Sequence, residues 1–493
     1  MELRDEWCGV VESILDDHAW DSATNVLRSR AADAQDDAPV LLAVAAWTAV
    51  ISERFVVATE IAQEARLLAV SGVGSNNASM NTLLEALVTV IAAVAGTAPF
   101  DQDALDGVFE AILGRQSSEE RSFRFACRVL EVPNWFTFAD RLSDARRALD
   151  ISQQLDRESV SWLEDSMCLG CVAELEWRRG RWNIATAAAI AAARGPAGTL
   201  NPDEDPYCQT LLARIAAAQG DTDRARSLAR SARMTALGRG DHSSRWRADA
   251  ADALVAIGAG NYAQVVRLLA KPVEGNDRLG TTPASVRQCE VDLIEAMIRI
   301  GHDGHQVMYE RLGFHGGEWN AAAALRIDGL RITDPVRAAE CALASAAEFA
   351  RLDAVFDEAR SLLVAGERLA EACDFEAAKA ALEAANSRFD SLGARPWLQR
   401  CRAQLRAFTR VRSGDVSGVG LDVGGHATFD SLTDQERAIA TAVCRGLTNR
   451  QVAEELFISV KGVETHLTRV YRKLGVKSRS ALVAVSAEAR PTA

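Results

Sequence analysis

Residues 432–482 read LTDQERAIATAVCRGLTNRQVAEELFISVKGVETHLTRVYRKLGVKSRSAL. Thr433 and Glu436 stand in the T-x-x-E spacing of a capping box. The threonine hydroxyl can accept from the Glu436 amide, and the glutamate can reach back to the amide of Thr433. The spacing predicts a helix from Asp434 to Gly446, a residue able to take the left-handed conformation that closes a helix. Thr448 and Gln451 repeat the pattern as T-x-x-Q, so a second, short helix is expected from Asn449 to about Phe457. Ser459 suits the N-cap of a third helix ending at Gly475, and Ser478 can cap a fourth over 478–487. Helix, tight turn, helix is the helix-turn-helix outline.

The third helix is two-faced. Val463, Leu467, Val470 and Leu474 recur at spacings of four, three and four, which makes one buried stripe. The other face carries Lys461, Thr465, Thr468 and Arg472, flanked by Glu464 and Arg469. Such side chains suit a major groove: Lys and Arg neutralise phosphates, Thr touches a base edge or a thymine methyl, and Glu accepts from cytosine. The start of the second helix, Thr448, Asn449 and Arg450, offers free amides and a positive dipole end to a phosphate. Lys473, Lys477 and Arg479 complete the candidate DNA-binding set.

The same residues carry a resemblance. The segment resembles the LuxR-type helix-turn-helix family at Leu432–Thr433, Glu436, 446–449, Val452–Ala453, Leu456, Ile458–Ser459, Val463, His466, 473–476 and Ser478–Arg479. The runs 463–467 and 471–475 look closest to the output domains of the large ATP-binding LuxR regulators of the maltose-activator type. The sequence departs from the family at Gly462, usually Ser or Thr, and at Glu464, often Lys in the two-component branch. The resemblance implies binding to double-stranded DNA as a homodimer, paired through the fourth helix on a two-fold operator.

Charge divides along the chain. From Thr428 to Ala493 there are ten Lys/Arg and seven Asp/Glu, a net of +3, so the rest carries −16 of the total −13. An acidic body repels DNA, and only the tail is expected to dock. Residues 1–410 read as helix throughout, rich in Ala, Leu, Arg and Glu and without alternating β-branched runs. Turn signals recur at Gly180, Gly220, Gly260 and Gly301, spaced 40, 40 and 41 residues apart. Around Gly220, one helix is expected over Tyr207–Ala218 and the next over Thr222–Met234. Cys373–Asp374–Phe375 repeats the pattern. Helix pairs at a period near 40 make a solenoid that resembles degenerate tetratricopeptide repeats. An irregular helical bundle is the alternative. The expected architecture is therefore all-α: a tetratricopeptide-like superhelix over 1–410, a flexible linker over 411–427 with Gly at 414, 418, 420, 424 and 425, and a four-helix LuxR-type domain over 428–493.

Several chemistries find no support. There is no G-x-x-x-x-G-K-[ST] run, so the ATPase of the large LuxR regulators has no counterpart here, and no cofactor is expected. Cys168 and Cys171 form a C-x-x-C that reads as core packing within a helix. His302, His305 and His315 lack a fourth ligand for a metal site. Tryptophans such as Trp177, Trp182, Trp246, Trp319 and Trp397 read as packing anchors. No pairing of nucleophile and base points to an enzyme. The apolar stretches 40–51 and 184–193 are too short to cross a membrane, and 1–6 lacks signal-peptide features; a cytoplasmic protein is expected. The sequence thus predicts a DNA-binding regulator whose helical array takes a protein, peptide or small-molecule effector, with RNA polymerase a further partner. The competing reading is an interaction scaffold whose tail serves dimerisation alone.

Overall fold

The computed structural model describes residues 20–34, 38–52, 54–70, 78–95, 98, 100–113, 126–127, 130–154, 162–193, 205–239, 241–277, 284–314, 317–412, 432–445, 447–456, 460–474, 476, 479 and 482. Every regular element among them is a helix. The chain begins with α1 (Trp20–Ala31), α2 (Ala38–Ile51), α3 (Phe55–Val70), α4 (Ala78–Ala95), α5 (Gln102–Leu113), α6 (Val132–Phe138) and α7 (Leu142–Gln154). Helix α4 was not among the apolar stretches noted in the sequence. It is long and apolar enough to cross a membrane by length and composition. Its Leu83, Leu84, Leu87 and Ile91 are instead fully buried within the array, which makes it a core helix.

Regular helix pairs follow: α8 (Trp162–Arg178) with α9 (Trp182–Ala192), α10 (Pro206–Gln219) with α11 (Thr222–Arg239), α12 (His242–Gly258) with α13 (Tyr262–Asp277), and α14 (Ala284–Ile300) with α15 (His305–Phe314). Then come α16 (Glu318–Arg331) with α17 (Pro335–Arg351), α18 (Val355–Glu371) with α19 (Phe375–Leu392), and α20 (Arg395–Arg412). The glycines at 180, 220, 260 and 301 all turn the chain at positive φ, between 71° and 79°. Only glycine enters this region without strain, which is why the period was legible. Asp353 and Cys373 hold the same conformation at φ 55° and 63° in the later turns.

Local chemistry fixes the helix starts. The Asp205 carboxylate accepts from the Cys208 amide at 3.1 Å, with Pro206 preset for the first turn. Asp374 does the same for Ala377 at 3.1 Å. Small residues set the spacing between helices. A Cβ on Gly329 would lie 2.9 Å from the Ala342 Cβ, so α16 and α17 meet almost backbone to backbone.

Each first helix of a pair also packs on the first helix of the next: α8 on α10, α10 on α12, α12 on α14, α14 on α16, and α16 on α18. These helices form an inner layer and their partners an outer one. That is a tetratricopeptide-like superhelix rather than an irregular bundle. The array winds far enough to meet itself. Arg179 reaches Asp353 at 2.6 Å, and Phe356 packs edge-on against Trp182 at 5.3 Å and Trp397 at 5.0 Å. Trp177, Trp182, Trp319 and Trp397 are buried anchors, as the sequence suggested. The last array helix runs to Arg412; most of the Gly-rich stretch lies outside the described residues.

Cys168 and Cys171 are both buried, and burial pushes the Cys171 thiol up. His302 and His305 are engaged locally. The His302 Nδ1 accepts from the Gly304 amide at 3.0 Å, and His305 Nδ1 lies 2.8 Å from the His302 carbonyl. His315 lies outside the described residues.

Candidate nucleic-acid interface

The tail holds α21 (Asp434–Cys444), α22 (Asn449–Leu456) and α23 (Val460–Leu474). The first capping box is complete: Thr433 N–H donates to Glu436 Oε2 at 2.9 Å, and Glu436 N–H to Thr433 Oγ1 at 3.3 Å. The second is complete as well, with Thr448 N–H to Gln451 Oε1 at 2.9 Å and Gln451 N–H to Thr448 Oγ1 at 3.3 Å. Gly446, Ser459 and Gly475 lie outside the described residues. The fourth helix does so largely, although Arg479 and Leu482 are helical and Leu482 is fully buried.

The expected stripe on α23 is buried in full: Val463, Leu467, Val470 and Leu474 are at most 6% exposed. His466 joins it, and its Nδ1 has no hydrogen-bond partner. Burial, with Arg469 and Lys473 close by, pushes the imidazole below its ordinary value and so favours the neutral ring. Glu464, Thr468 and Arg469 are exposed on the other side. The Thr468 hydroxyl donates back to the Glu464 carbonyl at 2.9 Å, which leaves its methyl and a lone pair for a groove. Thr448 and Arg450 are exposed at the start of α22. The side chains of Lys461, Thr465, Arg472 and Lys477 lie outside the described residues.

Three candidate contacts are tied into the domain itself. Lys473 Nζ donates to Glu436 Oε2 at 2.5 Å and joins α23 to the cap of α21. Burial works against the Glu436 charge, but the bonds from Lys473 and the Thr433 amide hold its carboxyl below the usual range. Arg479 donates to Asn449 Oδ1 at 3.1 Å and to the Leu447 carbonyl, and so braces the start of α22. Arg445 pairs with Glu455 across the turn. Sequence spacing marks local caps, whereas the Lys473–Glu436 and Arg479–Asn449 partners lie too far apart along the chain to be read that way.

Residues 430–486 match the family model described as bacterial regulatory proteins, luxR family. A Mycobacterium bovis protein named as an HTH-type transcriptional regulator is 49% identical over 55 residues, 11% of this chain and 6% of that protein. The nitrate/nitrite response regulator protein homolog of Haemophilus influenzae is 45% identical over 53 residues, 11% of this chain and 26% of that one. The oxygen regulatory protein NreC of Staphylococcus aureus is 44% identical over 55 residues, 11% and 25% of the two chains. The chain thus spans about a quarter or less of the length of these relatives. The array is similar in fold to a crystal structure of a Rap protein complexed with Competence and Sporulation Factor. That match has a TM-score of 0.50 at 13% identity and covers 75% of this chain and 99% of that one. A tetratricopeptide-like array therefore precedes a C-terminal segment that is a LuxR-family helix-turn-helix domain.

Proposed function

We propose that this chain is a sequence-specific, DNA-binding transcription regulator, acting as an activator in the cytoplasm. Its helical array senses an effector, and its tail docks on a two-fold operator as a homodimer. The observation that carries this reading is α23. Its stripe from Val463 to Leu474 is spent on the domain core, while Glu464, Thr468 and Arg469 stay exposed on the opposite side. A helix fixed on one face and polar on the other suits a major groove. Thr448, Asn449, Arg450, Arg472 and Lys473 contact phosphates in this reading, while Glu464, Thr465 and Thr468 read bases. The similarity in fold to a Rap protein complexed with Competence and Sporulation Factor supports an effector role for the array. RNA polymerase is the proposed downstream partner.

A gel-shift with genomic fragments tests the reading. Retention of a discrete subset of fragments, resistant to excess nonspecific DNA, is the expected outcome. Dimerisation without retention of any fragment would leave the tail as a pairing device on a scaffold. Mapping of bound DNA across the genome identifies the operator.

A further inference from the structure

Helix α20 carries six arginines, at 395, 400, 402, 406, 410 and 412, and no acidic residue. It belongs to a stretch, 1–427, whose net charge is −16. Its arginines are ordered. Positions 395, 402, 406 and 410 recur at spacings of seven, four and four, which sets them within about 80° of one another on one side of the helix. The described side chains of this stripe, Arg395, Arg402 and Arg406, are exposed. Trp397, Leu398 and Cys401 bury the opposite side in the array. Arg400 falls outside the stripe and is turned inward onto Glu367 at 3.2 Å.

A solvated helix face gains from opposite charges four residues apart, whereas like charges at that spacing destabilise a helix. The stripe sets like charges so twice, at 402 and 406 and at 406 and 410. Asp390 meets Arg402 at 3.2 Å, but both side chains are more than half exposed, and such a pair is weak and screened by salt. An anionic partner offsets the repulsion along the row. The stripe is about 22 Å long at about 1.5 Å per residue, and a DNA duplex presents roughly one negative charge per 1.7 Å of its axis. A straight row of cations of that length fits a phosphate backbone.

The stripe also lies on the side of the array that meets the tail. Arg395 Nε donates to the Gln219 carbonyl at 2.8 Å, and Pro396 lies 3.0 Å from where a Cβ would stand on Gly220 and on Gly258. The helix therefore starts on the turns that close α10 and α12. Further along, Arg400 shares Glu367 with Arg299, at 3.2 and 2.7 Å. Arg299 stands two residues before Gly301, whose turn meets Gly462 in the first turn of α23. Helix α20 thus runs across successive array turns toward the turn that touches the tail. The 19 residues of 413–431 join the two and can span at most roughly 65 Å, so a duplex seated on the tail stays within reach of α20.

We propose that the arginine stripe of α20, at positions 395, 402, 406 and 410, is a second DNA-binding surface, which takes phosphates of the duplex beside the segment held by the tail. It reads no bases, because a guanidinium on a phosphate carries no sequence information. The acidic array as a whole repels DNA, so the contact is confined to this helix. That the tail brings the chain to DNA rests on the regulator reading above; the added phosphate contacts do not depend on which sequence the tail reads.

The test measures binding of the full chain to two duplexes of equal length, a retained genomic fragment and a random sequence, over a series of salt concentrations. Arg402→Gln combined with Arg406→Gln is expected to lower the salt slope by about two ions on both duplexes. The advantage of the unaltered chain over this variant then shrinks about tenfold between roughly 50 and 200 mM salt. Preference between the two duplexes is expected to stay the same. Arg402→Lys combined with Arg406→Lys keeps the charges and is expected to restore the slope. Arg28→Gln removes an exposed cation from α1 and is expected to leave the slope unchanged. The slope is the readout because the contact of Gly301 with Gly462 involves no charge, so it alters affinity without altering salt dependence. All the substituted side chains are exposed, and an unchanged melting temperature checks the fold. Equal affinity for the two duplexes with the slope effect intact supports the stripe and counts against sequence reading by the tail. An unchanged slope in the Gln pair, the same loss per charge in Arg28→Gln, a slope lost in the Lys pair, or no binding of either duplex at low salt overturns the proposal. So does self-association without DNA that both high salt and the Gln pair abolish, which would assign the stripe to the acidic array of a second copy.

Discussion

A Cβ built on Gly301 would lie 3.2 Å from the Cα of Gly462. The first residue closes an array turn at φ 71°, and the second sits buried in the first turn of α23. The departure from the family pattern at position 462 thus falls where the array touches α23. Glu464 and Arg469, only a few residues along, remain exposed, so the contact holds one end of α23 rather than covering its face. In the proposed docking, DNA at that end of α23 competes with the array for the same space. A fragment beginning near Thr428 is expected to bind DNA more tightly than the full chain, both compared as dimers. Gly462→Ser in the full chain, which crowds the Gly301 turn, is expected to recover part of that gain, roughly fivefold or more. Equal affinity of fragment and full chain would mean that the array works by pairing tails or recruiting polymerase.

The cap of α21 makes the tail sensitive to acid. The Glu436 carboxyl is held below its usual range in the folded state, so the unfolded chain takes up its proton first as pH falls. Stability from this group is present above about pH 4.5 and is lost as pH drops through the lower, folded value. Glu436→Gln keeps an acceptor for the Thr433 amide but loses the charge facing Lys473. It is expected to lower the melting temperature of the tail at neutral pH and to flatten the acid limb. An unchanged pH profile would show that the Lys473–Glu436 pair contributes nothing.

What the sequence revealed and what it hid follow from the range of each interaction. Gly180, Gly220, Gly260 and Gly301 were legible because a left-handed turn demands a particular residue at a particular place. Thr433–Glu436 and Thr448–Gln451 were legible because both partners of each cap lie within one helical turn. The stripe on α23 was legible because burial imposes helical spacing. The inner-layer arginines were not. Arg178, Arg214, Arg247, Arg326 and Arg360 fall on five helices spread from residue 162 to residue 371, and only superhelical winding brings them together. In sequence each looks like a solvated helix residue. The ties of Lys473 to Glu436 and of Arg479 to Asn449 were hidden for the same reason, because the partners are distant along the chain.

Close approach in the array offers a measurement of packing apart from DNA. A Cβ on Gly366 would meet Leu382 Cγ at 2.6 Å and the Ala378 carbonyl at 3.3 Å. Both belong to α19, so Gly366→Ala must push α18 and α19 apart or force Leu382 out of its rotamer. Overpacking of this kind costs about 1–3 kcal/mol. The array is expected to melt earlier by that amount in denaturant titration, with the isolated tail unaffected. A neutral result would mean that the pair can separate without loss, contrary to a tightly stacked inner and outer layer.

Phosphate contacts and base contacts separate under mutation. In the proposed docking, Arg472 neutralises a phosphate and Glu464 meets a base edge. Arg472→Ala is expected to weaken binding to all sequences alike and to reduce the salt slope by about one ion. Glu464→Ala is expected to leave the salt slope nearly unchanged and to alter preference at one or two operator positions, by about 1–3 kcal/mol each. Thr465→Ala is expected to behave as Glu464→Ala does, on a neighbouring base pair. Binding to randomised operators at several salt concentrations measures both quantities at once. If Arg472→Ala changes preference while Glu464→Ala changes only affinity, the two assignments are reversed, and α23 lies in the groove rotated from the orientation proposed here.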